Sequence, residues 1–155
     1  MSPAGDHGRG IILLGTILIC GIAVAVQFFM REALGWSIDT VLAALLVSAL
    51  FIGPLEIGIL ALIAGVIVGL PIVFSLEIAM FIGLPVSLSL IHKKMPWQHL
   101  LLALGVVFVG VLLFYAIVNG RGAYADIGLV MKDALLACVF GSVVFASLFS
   151  LQSES

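Results

Sequence analysis

The stretch TVLAALLVSALFIGPLEIGILALIAGVIVGL, residues 40–70, decides the class of this chain: it carries a single charged residue, Glu56, and one break, at Gly53-Pro54. An apolar run of this length interrupted only by a helix breaker predicts two membrane helices joined at the break. The first, Thr40 to Ile52, is short and reaches spanning length only if it starts near Ser37, whose side chain suits an N-cap. The second runs from Leu55 to about Phe74, with Pro71 near its end.

The pattern continues on both sides. Towards the N-terminus, Arg31, Glu32, Gly35, Trp36 and Asp39 form a loop, with Trp36 as an interfacial anchor. Before it, Ile11–Met30 is apolar throughout and long enough to span. Ala23-Val24-Ala25 resembles a cleavage site, but Val26, Phe28, Phe29 and Met30 carry the run past it, so the reading is an uncleaved helix. A lipoprotein signal ending at Cys20 is disfavoured because Ile19, and not a small residue, precedes the cysteine. Residues 1–10 read as a polar, disordered tail. Towards the C-terminus, Leu76–Ile91 contains Gly83 and Pro85 and predicts a kinked helix, which membrane bundles tolerate. The loop HKKMPWQH spans residues 92–99. A fifth run covers Leu100–Val118, and a second polar loop covers 119–126. The sixth run extends from Ile127 or Lys132 to Leu151, leaving 152–155 as a short tail.

Composition agrees. Of 155 residues, 64% are hydrophobic and 9% charged, and the mean hydropathy is +1.40, against roughly half apolar and a quarter charged in soluble domains. Six Lys and Arg against eight Asp and Glu leave no basic surface for nucleic acid. The expected fold is therefore an all-α integral membrane protein, a polytopic bundle of about six transmembrane helices over residues 11–151. Cys20 and Cys138 both lie inside apolar runs and imply no disulfide framework. With six spans both termini share a side. The adjacent pair Lys93-Lys94, on that same side, favours cytoplasmic termini.

The residues that carry chemistry elsewhere are sparse. His7, His92 and His99 are far apart and have no cysteine or carboxylate at ligand spacing, so no metal site is expected. No phosphate-binding glycine loop and no Ser-His-Asp set is present, and the expectation is a protein that is not an enzyme and has no cofactor. Asp39, Glu56 and Glu77 stand at helix starts, where the helix dipole favours a carboxylate. Lys132-Asp133 reads as a local ion pair at the membrane edge. Gly58, Ala61, Gly65 and Gly69 fall on one face of the third helix, and Ala134, Cys138, Ser142, Ala146 and Ser150 recur every fourth residue in the sixth. Small residues let membrane helices approach closely. Either seam serves internal packing or receives a helix from a partner.

One pattern begins with Val26-Gln27 at the end of the first helix and runs through Leu90: Gln27, Asp39, the run Thr40–Leu45, Gly53-Pro54-Leu55-Glu56, then Gly58, Ala61 and Gly65. It resembles the bacterial rod shape-determining membrane protein MreD family, small proteins of five to six helices with almost no soluble part. That family often has Arg-Pro before the aspartate and a further aspartate after the last glycine; Ser37-Ile38 and Gly69 stand there in this chain. The resemblance implies a non-enzymatic scaffold in the inner (cell) membrane, surrounded by lipid, that belongs to the cell-elongation machinery. Its partners would be the bitopic protein MreC and, through it, the peptidoglycan (cell-wall) synthases. Asp39, Gly53, Pro54, Glu56, Gly58, Ala61, Gly65 and Gly69 would form the partner or packing surface. The alternatives are a substrate-binding subunit of an energy-coupling-factor vitamin transporter, also a glycine-rich six-helix protein, and a polytopic membrane protein of neither kind.

Overall fold

The computed structural model describes residues 4–34, 39–70, 75–92, 100–118 and 127–153. Within them the chain forms six helices: α1 (Ala4–Leu34), α2 (Thr40–Ser48), α3 (Pro54–Val68), α4 (Leu76–His92), α5 (Leu100–Val118) and α6 (Ile127–Ser153). Three stretches are long and apolar enough to cross a membrane: Gly10–Ala33 of α1, Leu100–Val118 of α5 and Ile127–Gln152 of α6. The fold is thus an all-helical bundle compatible with a membrane protein.

The arrangement is a ring around a centre. α1 touches α6, α6 touches α5, α5 touches α4, α4 touches α3, and α3 returns to α1; α2 touches all five. Every residue from Val41 to Leu50 is buried. This explains why α2 has no polar face, since a helix surrounded on all sides has no side to leave wet. Its neighbours approach through glycines. A Cβ on Gly110 of α5 would lie 2.6 Å from Leu46 Cδ1, and one on Gly141 of α6 would lie 3.3 Å from Val107 and 3.5 Å from Val47. Gly15 of α1 meets Leu151 of α6 in the same way, at 2.6 Å. Aromatic contacts add to this packing, Phe51 against Phe145 at 5.6 Å and Phe81 edge-on to Phe114 at 6.4 Å.

Several boundaries differ from the sequence expectation. α1 begins at Ala4, inside the stretch read as a tail. α2 has only nine residues, about 13 Å of helix, and Asp39 occupies its N-cap position; Ser37 lies outside the described residues. Residues 49–52 then turn, with Ala49 N–H bonded to Leu45 O and Ile52 N–H to Ser48 O. α3 stops at Val68 because Gly69 adopts the left-handed conformation, φ 83°, and Leu70 N–H reaches back to Gly65 O at 3.0 Å. Pro85 lies within α4, which continues through it to His92. The loops at 93–99 and 119–126, with Lys93, Lys94, Trp97, His99 and Arg121, lie outside the described residues.

Candidate functional site

The polar groups of the described bundle gather at the two ends of α2. At its N-terminal end, α1, α5 and α6 each supply a side chain or carbonyl. Val41 N–H, one of the orphan donors of a first helical turn, donates to Gln27 Oε1 at 3.2 Å. The Thr40 hydroxyl donates to Ala23 O at 3.0 Å. Both bonds tie α2 to α1. On the far side the Tyr115 hydroxyl of α5 donates to Asp133 Oδ2 of α6 at 3.2 Å, and Asp39 is a second hydrogen-bond partner of the same hydroxyl.

A phenol has one proton to give, and two carboxyl groups converge on it. The arrangement is complete when Asp39 keeps a proton and donates it to the Tyr115 oxygen while Tyr115 donates to Asp133. Asp39 lies in the connection leading into α2, outside the long helices. Burial pushes its carboxyl up to about 6; the Tyr115 hydrogen bond pulls the other way, and the nearby Asp133 carboxylate adds to the rise.

At the other end of α2, the turn into α3 is held by Glu56 and Ser89. Gly53 N–H donates to Glu56 Oε2 at 2.8 Å, so Glu56 closes half of a capping box, with Pro54 in the first turn where its missing N–H costs nothing. The Ser89 hydroxyl of α4 donates to Ile52 O at 2.8 Å, satisfying a buried carbonyl that the turn leaves without a helical partner.

The residues singled out in the sequence therefore divide. Asp39 sits in the polar knot, without a side-chain cap bond to its own helix. Gly53, Pro54 and Glu56 build the α2–α3 turn. Gly58, Ala61 and Gly65 do face a helix: Ala61 is fully buried, and Cβ atoms on Gly58 and Gly65 would meet Val86 at 3.4 Å and Phe81 at 3.6 Å. These are ordinary contacts, looser than those at Gly110 and Gly15. Gly69 is not part of that seam but the exposed C-cap of α3. The sixth-helix stripe also fails as a seam, because a step of four residues drifts by about 40° per step on a helix of 3.6 residues per turn. It starts buried at Ala134 and ends exposed at Ala146 and Ser150. The face that packs is Val130, Asp133, Ala137, Gly141, Val144 and Leu148. Asp133 lies on that face, turned into the bundle towards Tyr115, while Lys132 beside it is exposed. Sequence reasoning missed Tyr115 and read Asp133 only as a partner of Lys132; the available signal was an acid lying in register with the buried positions of its helix.

Where α4 meets α5 the ring leaves an open groove of about 530 Å³, floored by Leu46 of α2 and lined by Leu84, Leu88, Leu101, Gly105 and Val109. Among the described residues no three His, Cys, Asp or Glu side chains group as metal ligands. No protein-family model, no curated protein and no solved structure matches the chain.

Proposed function

We propose that this chain is a multi-pass protein of the bacterial inner membrane, with both termini cytoplasmic, that acts as a non-enzymatic scaffold of the cell-elongation machinery. Its partner is a single-pass protein of the MreC kind, and through that partner it engages the peptidoglycan synthases. One observation carries the reading. Five residues of the MreD-like pattern share a structural task, with Gln27 and Asp39 at one end of the central helix and Gly53, Pro54 and Glu56 at the other. A pattern spent on fixing a central helix suits a protein whose product is a shape presented to other helices. The α4–α5 groove is apolar apart from the Ser87 hydroxyl, which gives a polar vitamin little to bind.

The test is co-purification. The tagged full chain, expressed with the MreC-type protein of the same organism and extracted in mild detergent, should retain that protein, and depleting the chain should round rod-shaped cells. Loss of neither retention nor shape on Asp39→Leu, or saturable nanomolar vitamin binding by the isolated chain, would sink the reading. Cysteines at Ser2 and Gln98 should both be labelled from the cytoplasmic side only.

A further inference from the structure

The ring is not equally tall all round. On one side, α6 runs from Asp133 to Gln152 and α1 from Gly10 to Arg31 without a charged residue between these limits. Each stretch is about 30 Å of helix, the thickness of an ordinary hydrocarbon core. On the other side stand α3 and α4. α3 is bounded at both ends by fixed features, the Glu56-capped Gly53 and the left-handed Gly69, and has 15 residues, about 22 Å. α4 is 17 residues long, with Glu77 in its first turn and His92 at its end.

The register between them fixes the levels. Ile52 lies against Ser89, Gly58 against Val86 and Gly65 against Phe81. This antiparallel pairing puts Glu77 level with the end of α3, and Glu56 close to the level of Leu88. The two helices thus mark the same upper and lower limits, about 22 Å apart. Between those limits the outer face of α3 is wholly apolar and exposed: Leu55, Ile59, Leu62, Ile63, Val66 and Ile67.

A helix longer than the bilayer is accommodated by tilting. A shorter one is not, because tilting lowers its height further; it thins the bilayer, oligomerises or reaches out with flanking side chains, and the Glu56 carboxylate is held on Gly53 N–H. We propose that the bundle is a hydrophobic wedge, which meets an ordinary bilayer along α1 and α6 and holds a thinned one along α3 and α4, so that short-acyl phospholipids gather on the α3–α4 face. The inference rests on the membrane reading above and not on the partner. The chemistry recognised is chain length, with no headgroup contact required.

Lipid-selective quenching tests it on the full chain. With Trp36→Phe and Trp97→Phe removing the native indoles, a single tryptophan is placed at Ile63→Trp on α3 or at Val139→Trp on α6. Both positions point outwards, at 51% and 65% exposure, so neither substitution disturbs the core. Each variant is reconstituted in mixtures of dimyristoleoyl and dierucoyl phosphatidylcholine in which one or the other lipid is brominated. The expected result is a preference for the short lipid at Ile63→Trp that exceeds the preference at Val139→Trp by at least about threefold. Equal preferences at the two positions overturn the wedge while leaving the membrane reading intact. Absence of quenching at both positions overturns both.

Discussion

Replacing Tyr115 with Phe removes one oxygen atom and little else. The ring keeps its place against Phe114, 6.1 Å away and edge-on, so the substitution isolates the hydroxyl between Asp39 and Asp133. A hydrogen bond to a charged group contributes about 1.5–3 kcal/mol, while polar contacts between membrane helices average about 0.6 and reach about 1.7. The 3.2 Å separation is long for a hydroxyl donor, whose usual range ends near about 3.0 Å, which favours the lower part of these ranges. Against that, Asp133 is 4% exposed, and water does not readily replace the lost donor. The expected loss at neutral pH is about 1–2 kcal/mol, read as a shift in the denaturant unfolding midpoint in detergent. Combined with Asp133→Asn, Tyr115→Phe should be non-additive by about 0.5–1 kcal/mol. A loss below about 0.5 kcal/mol, or strict additivity in that cycle, would refute the idea that the hydroxyl joins the two helices.

Three further outcomes follow from the same geometry. The Asp39 carboxyl is raised in the folded protein from 3.8 to about 6, so the folded state binds more protons than the unfolded one; stability should fall as pH rises from about 4 through about 6, and Asp39→Asn should flatten that decline in a pH series of thermal melts. Gly65→Ala, whose new Cβ would sit 3.5 Å or more from its neighbours, should leave thermal stability unchanged or raise it by up to about 1 kcal/mol through helix propensity, whereas Gly65→Leu should lower it by about 1–3 kcal/mol through overpacking against Phe81. Ser89→Ala strands the buried Ile52 carbonyl and should cost about 1–2 kcal/mol, with faster hydrogen exchange in the 49–53 turn as the local readout.

The helix inventory was legible because run length and punctuation are direct signals. α5 has the limits read from its apolar run, and Gly53-Pro54 opens α3 as a proline at the first helical turn should. The central position of α2 was not legible, and the reason is physical. Lipid is as apolar as a protein core, so a helix packed on every side and a helix bathed in lipid on every side carry the same run of Val, Leu and Ala. Position 69 shows a related limit. Glycine serves equally as a small seam residue and as a left-handed cap, and only the backbone angle distinguishes them. Asp133 and Tyr115 lie on different helices, so no sequence spacing announces their contact. Gln27 and Asp39, by contrast, were marked by a pattern, and both lie in the polar knot at the head of α2.

The ring around α2 also constrains the order in which this chain can be assembled. Synthesis runs from the N-terminus, so α2 is made before two of the walls it packs against, α5 and α6. At about 13 Å α2 is short, and its own sequence gives it no polar face to leave in water. Among the described helices, α1 precedes it and holds it through Gln27 Oε1 and Ala23 O. The hydrogen bonds at the head of α2 therefore join it to a helix that is already made when α2 is synthesised. No fragment ending before residue 127 can close the ring, which makes completion of the last helix the event that commits the whole chain to its native packing.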